Sequence, residues 1–292
     1  MNAARPQTSS STRRKAIQAA GFAGLTLVAL LTITPILLII ILIFSQGLPA
    51  ISWEFLSAFP RQGMRAGGIF PAILGTVFLT FFTTLFSVPL GIAAAIYLSE
   101  YASDNLMTRI IRISIINLAG IPSIVYGLFG LGIFVLFFKL GTSILAASLT
   151  LSIMTMPVII STAEEALRTV PQSFRVVSVS LGATRWQTIR KIVLPQSLPG
   201  ILTGVILGLE RAAGETAPIL FTGAAFYLPT LPSSPLDATM ALPYHLYVVS
   251  TQVPGMPVEI QYGTALVLLV LILGLNLVAT TIRSRARARR QW

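Results

Sequence analysis

The chain has 292 residues, of which 54% are hydrophobic and only 10% are charged, whereas a soluble domain usually carries about 25% charged residues. Together with a mean hydropathy of +0.84, this composition excludes an ordinary soluble domain and indicates a helical protein that crosses a membrane several times. The formal net charge is +11, which in a soluble protein would suggest nucleic-acid binding. Here the basic residues lie between apolar stretches, so we interpret them as topology signals beside membrane lipid and expect no nucleic-acid partner.

Catalytic and metal-binding side chains are scarce, since the chain has no cysteine and a single histidine, His245. The absence of cysteine excludes disulfides, thiol catalysis and thiolate metal sites. One histidine is too few for a multi-histidine metal centre and gives little support to a Ser-His-Asp enzyme. His245 stands in a proline-rich segment, which predicts a surface position for it. We therefore expect neither a metal nor a cofactor.

Five stretches without a charged residue exceed the roughly 20 residues that cross a bilayer: residues 16–53, 66–99, 113–138, 140–163 and 260–282. A sixth span is predicted in residues 196–236, although it contains three charges. The sequence thus predicts an all-α polytopic protein with six transmembrane helices, in which prolines such as Pro122 bend the helices. The expected divisions are an N-terminal tail (1–18), a first transmembrane helix (19–46), a core domain (67–282) and a basic tail (283–292).

The distribution of lysine and arginine predicts the orientation of these spans. Of the 20 basic residues, 16 fall in the two tails and in the segments after the second and fourth spans. Because basic residues accumulate on the cytoplasmic side, both termini are expected in the cytoplasm, which requires an even number of spans. The first apolar stretch is longer than the roughly 7–15 residues of a signal-peptide core, so we expect it to remain uncleaved.

Two segments on the opposite side, residues 47–69 and 225–259, are long and rich in turn-forming residues. The second contains six prolines and no lysine or arginine, and proline pre-sets the backbone for ordered turns. Such a segment either caps the helix bundle or offers a docking surface to a soluble partner. The sequence leaves both possibilities open.

Residues 164–195 form the longest predicted cytoplasmic segment. Gly182 is a natural helix stop, because glycine adopts the left-handed conformation at a helix C-terminus, and Thr184 can cap the helix that follows. Pro195 is expected to begin the fifth span. The segment therefore predicts two short helices at an angle on the cytoplasmic surface.

The spacing within this segment is specific: Gly182, Ile192, Leu194 and Pro195 give the pattern G-x9-I-x-L-P. The pattern resembles the EAA loop of the permease subunits of ABC importers, and it implies the type I importer permease fold. In that family the loop presents a short helix to an ATPase subunit, a helix-in-groove contact. The residues implied to take part in coupling are Phe174, Arg175, Leu181, Gly182, Ala183 and Thr184.

The loop departs from the family at the Glu-Ala-Ala that names it, where this chain has Val176, Val177 and Ser178. An ion pair of that glutamate is therefore not expected, whereas docking of the helix is. Phe174, Val177 and Leu181 recur on one helical face.

The chain also lacks a phosphate-binding loop for ATP. Its lysines are Lys15, Lys139 and Lys191, and none stands in a G-x4-G-K-[ST] sequence; that motif is what cradles nucleotide phosphates. We expect the chain not to be an enzyme, with any ATP bound by another polypeptide.

The charges of the fifth span are Glu210, Arg211 and Glu215. A charge at the bilayer centre costs roughly 2.5–3.5 kcal/mol on insertion scales. Arg211 and Glu215 stand four residues apart and would share a helix face, and a guanidinium offers planar donors to an oxyanion. Two interpretations stay open: a substrate path that includes Arg211, Glu215 and Thr216, or a structural ion pair between helices.

Residues 211–222 are similar to a segment of the phosphate-specific permeases within this family, and residues 67–76 resemble the start of their core domain. Glu210 departs from the pattern, where a neutral residue is expected. The resemblance, which covers residues 67–282, implies a permease subunit of an ATP-driven phosphate importer in the bacterial cytoplasmic membrane. Its implied partners are a homologous permease, two ATP-binding cassette subunits and an extracytoplasmic phosphate-binding protein.

Two alternatives remain at the level of sequence. An ABC importer for another oxyanion or small solute would share the G-x9-I-x-L-P loop but should lack the charged segment of the fifth span. An ion-coupled secondary transporter belongs to a class that often shows inverted repeats with broken helices, and the sequence shows no convincing repeat.

Overall fold

The computed structural model describes residues 8–288. Apart from one isolated bridge and an antiparallel hairpin of Pro60–Arg61 (β1) with Ala66–Gly67 (β2), the regular structure of these residues is helical. The α-helices are α1 (Thr8–Gly47), α2 (Trp53–Ser57), α3 (Phe70–Ile96), α4 (Leu106–Ala119), α5 (Ser123–Gly130), α6 (Ile144–Arg168), α7 (Gln172–Ser180), α8 (Arg185–Thr188), α9 (Leu194–Gly214), α10 (Ala217–Thr222), α11 (Leu242–Thr251) and α12 (Val258–Ala288). Wide π-helical turns follow three of them, at Tyr97–Tyr101, Leu131–Phe137 and Ile189–Val193.

Five helical runs among the described residues are long and apolar enough to cross a membrane: Ile17–Ala50, Phe70–Tyr101, Ile144–Arg168, Arg185–Gly214 and Val258–Arg285. A sixth span exists if Leu106–Ala119 and Ser123–Phe137, which meet at an angle of 103°, count as one. The prediction of an all-α polytopic protein is confirmed, and the count of six holds when this bent pair is one span.

The third predicted span, residues 113–138, is wrong as a single helix. Helix α4 ends at Ala119 and α5 begins at Ser123, so the chain turns sharply where only a bend was expected. Pro122 takes an extended ψ of 138° and has no N–H to donate, and a proline also disfavours the helical conformation of the residue before it. Counting uncharged residues detects the length of a stretch but not this interruption of its backbone.

Helices α3, α6 and α9 form the centre of the bundle. Along α9, glycines spaced four residues apart face α6: a Cβ at Gly200 would stand 2.5 Å from the Cβ of Ala166, and one at Gly204 would stand 2.8 Å from the Cβ of Thr162. Gly208 continues the row. These positions allow the backbone of α9 to approach α6 closely, as small residues do in membrane helix pairs. The residue numbers rise along α9 as they fall along α6, so the two helices are antiparallel.

Helices α1 and α12 lie at the periphery. In the apolar stretch of α1 0% of the residues are buried, and in that of α12 6% are buried. Helix α1 packs mainly against α12. Within Ile17–Ala50 and Val258–Arg285 most of the exposed side chains are apolar, and hydrocarbon favours such a surface.

The bundle has two ends. The loop end comprises residues 99–105 and 169–193, and the hairpin end comprises the β-hairpin, α11 and residues 223–241. At the hairpin end an apolar cluster that includes Phe55, Ile69, Met240, Leu242 and Val248 joins α2, α3 and α11. Residues 225–259 thus cover this end of the bundle, as the capping interpretation requires.

The predicted surface position of His245 is wrong. His245 lies on α11 and is 2% exposed, and this burial lowers the pKa of its imidazole to about 4. The sequence holds the signal for this, because Leu242, His245 and Val248 follow at intervals of three residues and so share one face of the helix. The prediction relied on the proline content of the segment and did not consider this helical spacing.

Candidate translocation site and coupling loop

Arg211 and Glu215 meet at a break in the fifth span. Helix α9 ends at Gly214, Glu215 has an extended backbone (φ −78°, ψ 133°), and the short helix α10 begins at Ala217. The Nε of Arg211 donates a hydrogen bond to Oε1 of Glu215 at 3.4 Å, and the two side chains are 30% and 20% exposed. The prediction of one continuous span over residues 196–236 is therefore wrong.

Glu215 nevertheless lies inside the bundle. It lines a small cavity together with Thr76 of α3 and Leu151 of α6. Leu151 is the eighth residue of α6, so this level is about 10 Å from the end of that helix at 1.5 Å per residue. Beyond the break, α10 packs against α5 and α6, and the carbonyl of Thr222 accepts a hydrogen bond from the backbone of Ser143 at 3.0 Å. Irregular backbone is tolerated at such depth where it is buried in protein or lines a cavity.

Thr216 stands in the same break. It precedes α10 with a φ of −106°, and its side chain makes no capping hydrogen bond. The structure thus brings the three predicted path residues together over six positions of the chain, with one hydrogen bond between the two charged ones.

The loop at residues 169–193 contains the glycine turn that the sequence predicts. Helix α7 ends at Ser180, and Gly182 adopts a φ of +84°. Thr184 then caps the start of α8. Its hydroxyl oxygen accepts a hydrogen bond from the backbone N–H of Gln187, and its own backbone N–H donates to Oε1 of Gln187. Ser178 and Thr188 share a hydroxyl hydrogen bond of 2.8 Å that holds α7 against α8.

Pro195 does not begin the fifth span, contrary to the prediction. The helical run extends from Arg185 to Gly214 without interruption, so α8 is its first turn. The π-helical turn Ile189–Val193 precedes the proline. Such wide turns adjust the backbone hydrogen bonds around a proline inside a membrane helix.

Two of the predicted coupling residues, Phe174 and Leu181, contribute to an exposed apolar surface of the loop. Leu181 is 84% exposed, Val177 is 58% and Phe174 is 37%, and Trp186 of α8 adds a side chain that is 54% exposed. Ala183 and Thr184 lie beside them at the turn. An apolar patch of this kind on a folded protein marks an interaction site.

Arg175 differs from these residues, because its side chain is only 15% exposed and pairs with Glu100. Sequence reasoning missed Glu100, which follows the charge-free stretch 66–99 and gives no local sign of a partner 75 residues away. A second network nearby joins Arg112 of α4 to Glu164 of α6 at 2.8 Å, and Glu164 also pairs with Arg168 at 2.9 Å.

Helices long and apolar enough to cross a membrane, a charged break in one of them and an exposed apolar loop together fit a transport permease subunit. The chain belongs to the family described as binding-protein-dependent transport system inner membrane component, whose profile matches residues 87–290. It is accordingly a multi-pass permease component of an ABC importer, a complex with ATPase and binding-protein partners, and it has no ATPase activity of its own.

Individual relatives support the assignment. The chain is 32% identical over 250 residues to the probable ABC transporter permease protein YqgI of Bacillus subtilis, covering 81% of this chain and 85% of the relative. It is 35% identical over 287 residues to the phosphate transport system permease protein PstA 2 of Mycobacterium bovis, covering 97% and 93%. A bacterial ABC transporter that imports the acidic polysaccharide alginate has the same fold, with a TM-score of 0.67 at 16% identity over 96% of this chain and 99% of that one.

Proposed function

We propose that this chain is a permease subunit of an ATP-driven phosphate importer and forms half of its translocation path. The observation that carries the proposal is the Arg211–Glu215 pair, held at a helix break inside the bundle. Among the hydrogen bonds described for residues 8–288, Arg211 uses only its Nε, which leaves both Nη groups to face a tetrahedral oxyanion. A guanidinium suits that role because its donors are planar and its charge is permanent.

Two further observations support phosphate as the substrate. Relatives named as phosphate permeases share 35% identity with nearly the whole chain. The segment that surrounds the charge pair, residues 211–222, is also the part of the sequence that most resembles such permeases.

The assembly contains a homologous permease, two ATP-binding cassette subunits and an extracytoplasmic phosphate-binding protein. Both termini and the loop end face the cytoplasm, where most of the basic residues gather. The chain divides into a cytoplasmic tail (1–18), a first transmembrane helix (19–46), a core domain (67–282) and a basic cytoplasmic tail (283–292).

The continuous helical run gives this complex a route for coupling. Leu181 and Trp186 dock on an ATPase subunit beside α8, and α8 is the first turn of the helix that ends at Gly214. At 1.5 Å per residue, that helix extends about 45 Å from the docking surface toward Arg211. Closure of the ATPases on ATP therefore shifts the charge pair through one rigid element, and the path alternates between its outward and inward openings.

Reconstitution tests the proposal. The chain, its partner permease and the ATPase are purified as one complex, placed in proteoliposomes that contain ATP, and supplied with the loaded binding protein. We expect ATP-dependent uptake of radioactive phosphate that excess sulfate does not inhibit. Uptake of sulfate or another solute without phosphate would contradict the substrate assignment and leave the importer class intact.

A further inference from the structure

Arg175 of the loop directs its guanidinium into the helix bundle. Its Nε and Nη2 donate to the two carboxylate oxygens of Glu100 at 3.0 and 2.6 Å. Its Nη1 donates to the carbonyl of Val170 at 2.6 Å, and its Nη2 also donates to the carbonyl of Leu167 at 3.0 Å. The carboxylate side chain is 9% exposed. Such a bidentate contact between a guanidinium and a carboxylate fixes both the distance and the relative orientation of the two side chains.

These contacts connect three elements. Glu100 belongs to the π-helical turn that ends the second span, and Leu167 lies in the last turn of α6. The final carbonyls of a helix lack intrahelical partners and attract a cation. One side chain of α7 is therefore attached to the ends of both α3 and α6.

Open space separates part of α7 from the ends of these helices. A cavity of about 730 Å³ lies between α7 and the helix ends, lined by residues that include Ser99, Thr169 and Val179. Helix α7 has its main neighbours in α8 and the turn Ile189–Val193. The contacts of Arg175 therefore give α7 a direct attachment to the ends of α3 and α6.

We infer that the Glu100–Arg175 ion pair is a permanent link that makes α3 and α6 move with the docking loop. This inference rests on the proposed docking of the loop on an ATPase. Arg175 is then a positioning residue, not a docking contact. The loop has two attachments to the bundle, one through the continuous helix α8–α9 and one through this pair. With both in place the loop cannot pivot about Gly182, and a push from the ATPase displaces the central helices as one body.

The first test is Glu100→Gln, which keeps the shape of the side chain and removes its charge. The matched control is Glu165→Gln, at an exposed glutamate of α6 at the same end of the bundle. Coupling interactions change linked equilibria by roughly 5- to 150-fold, and we expect about a tenfold lower stimulation of ATP hydrolysis by the loaded binding protein per assembled complex. Basal hydrolysis stays at the wild-type level, and Glu100→Asp recovers part of the stimulation. Full stimulation in Glu100→Gln would overturn the inference.

The second test needs no change to the ion pair and applies even if Glu100→Gln fails to assemble. Because the chain has no cysteine, spin labels can be attached at Leu90→Cys on α3 and Ser180→Cys on α7, both exposed positions. We expect the same distance distribution between the labels in nucleotide-free and ATP-trapped complexes. A shift of several ångströms would show that the loop swings relative to α3 and would reject a permanent link. The distance measurement does not depend on phosphate being the substrate, so failure of the substrate proposal remains distinguishable.

Discussion

Replacing Arg211 by glutamine should reduce phosphate uptake strongly while the complex still assembles. Glutamine retains a hydrogen-bonding amide but loses the charge and the planar donors of the guanidinium. A hydrogen bond to a charged group contributes about 1.5–3 kcal/mol. If the substrate loses one such bond in the path, uptake should fall by roughly 10- to 150-fold, since 1.4 kcal/mol is a factor of ten.

The partner residue separates a substrate role from a structural one. Opposite charges about 4 Å apart attract by about 4 kcal/mol at an effective dielectric constant of 20. The 30% and 20% exposure of Arg211 and Glu215 reduces the net value through solvent screening. Glu215→Gln alone leaves an unpaired arginine and should lower both assembly and uptake. The double replacement of Arg211 and Glu215 by glutamine removes the unpaired charge, so assembly should recover.

The assay is phosphate uptake by proteoliposomes, measured with ATP hydrolysis and normalised to assembled complex. Arg109→Gln, at an exposed arginine of α4, is the control for loss of an arginine in general. A stably assembled double variant that takes up phosphate at a nearly normal rate would refute the path role of Arg211 and leave only the structural pair.

Three further outcomes are expected. Gly182→Val should abolish coupled uptake, because the left-handed φ of +84° costs a residue with a side chain about 1–2 kcal/mol. A Cβ at this position would meet no other atom within 4 Å, so Gly182→Asn, which tolerates this conformation, should retain activity. Equal loss in both variants would mean that the added side chain disturbs the docking surface, not the backbone. A reporter fused after Trp292 should be cytoplasmic and one inserted at Ser234 should lie outside, and a cytoplasmic Ser234 would contradict the proposed topology. Burial lowers the pKa of His245 to about 4 from about 6.5 in the unfolded chain. The free energy of unfolding is therefore unaffected by this group above pH 6.5 and decreases below it, by about 2 kcal/mol at pH 5. Thermal unfolding in detergent should show this decrease in the wild type and a smaller one in His245→Phe.

Features that depend on neighbouring residues could be predicted from the sequence. The turn at Gly182 and the cap at Thr184 follow from the backbone preference of glycine and from a hydroxyl placed before a helix, and both need only a few adjacent residues. The spans likewise follow from the length of apolar stretches.

Features that depend on backbone continuity or on distant contacts could not be predicted in this way. The 103° turn after α4 lies within an uncharged stretch, so composition gives no sign of it. The break after Gly214 lies beside Glu215, and that charge marks the position without revealing the change in backbone conformation. Pro195 resembles a helix start, but a π-helical turn accommodates it within a longer helix. The contact of Arg175 with Glu100 joins positions 75 residues apart, and no local pattern encodes it.

The row of glycines on α9 determines where a solute can pass. Where Gly200 and Gly204 bring the backbone of α9 against α6, the groups that face them are the small side chains of Ala166 and Thr162. Close-packed elements of this kind shift as a unit rather than deform. We therefore expect an opening to form along another face of α9, toward a neighbouring chain. One permease subunit is then expected to move as a rigid body, and opening depends on the motion of two subunits relative to each other rather than on flexibility within either of them.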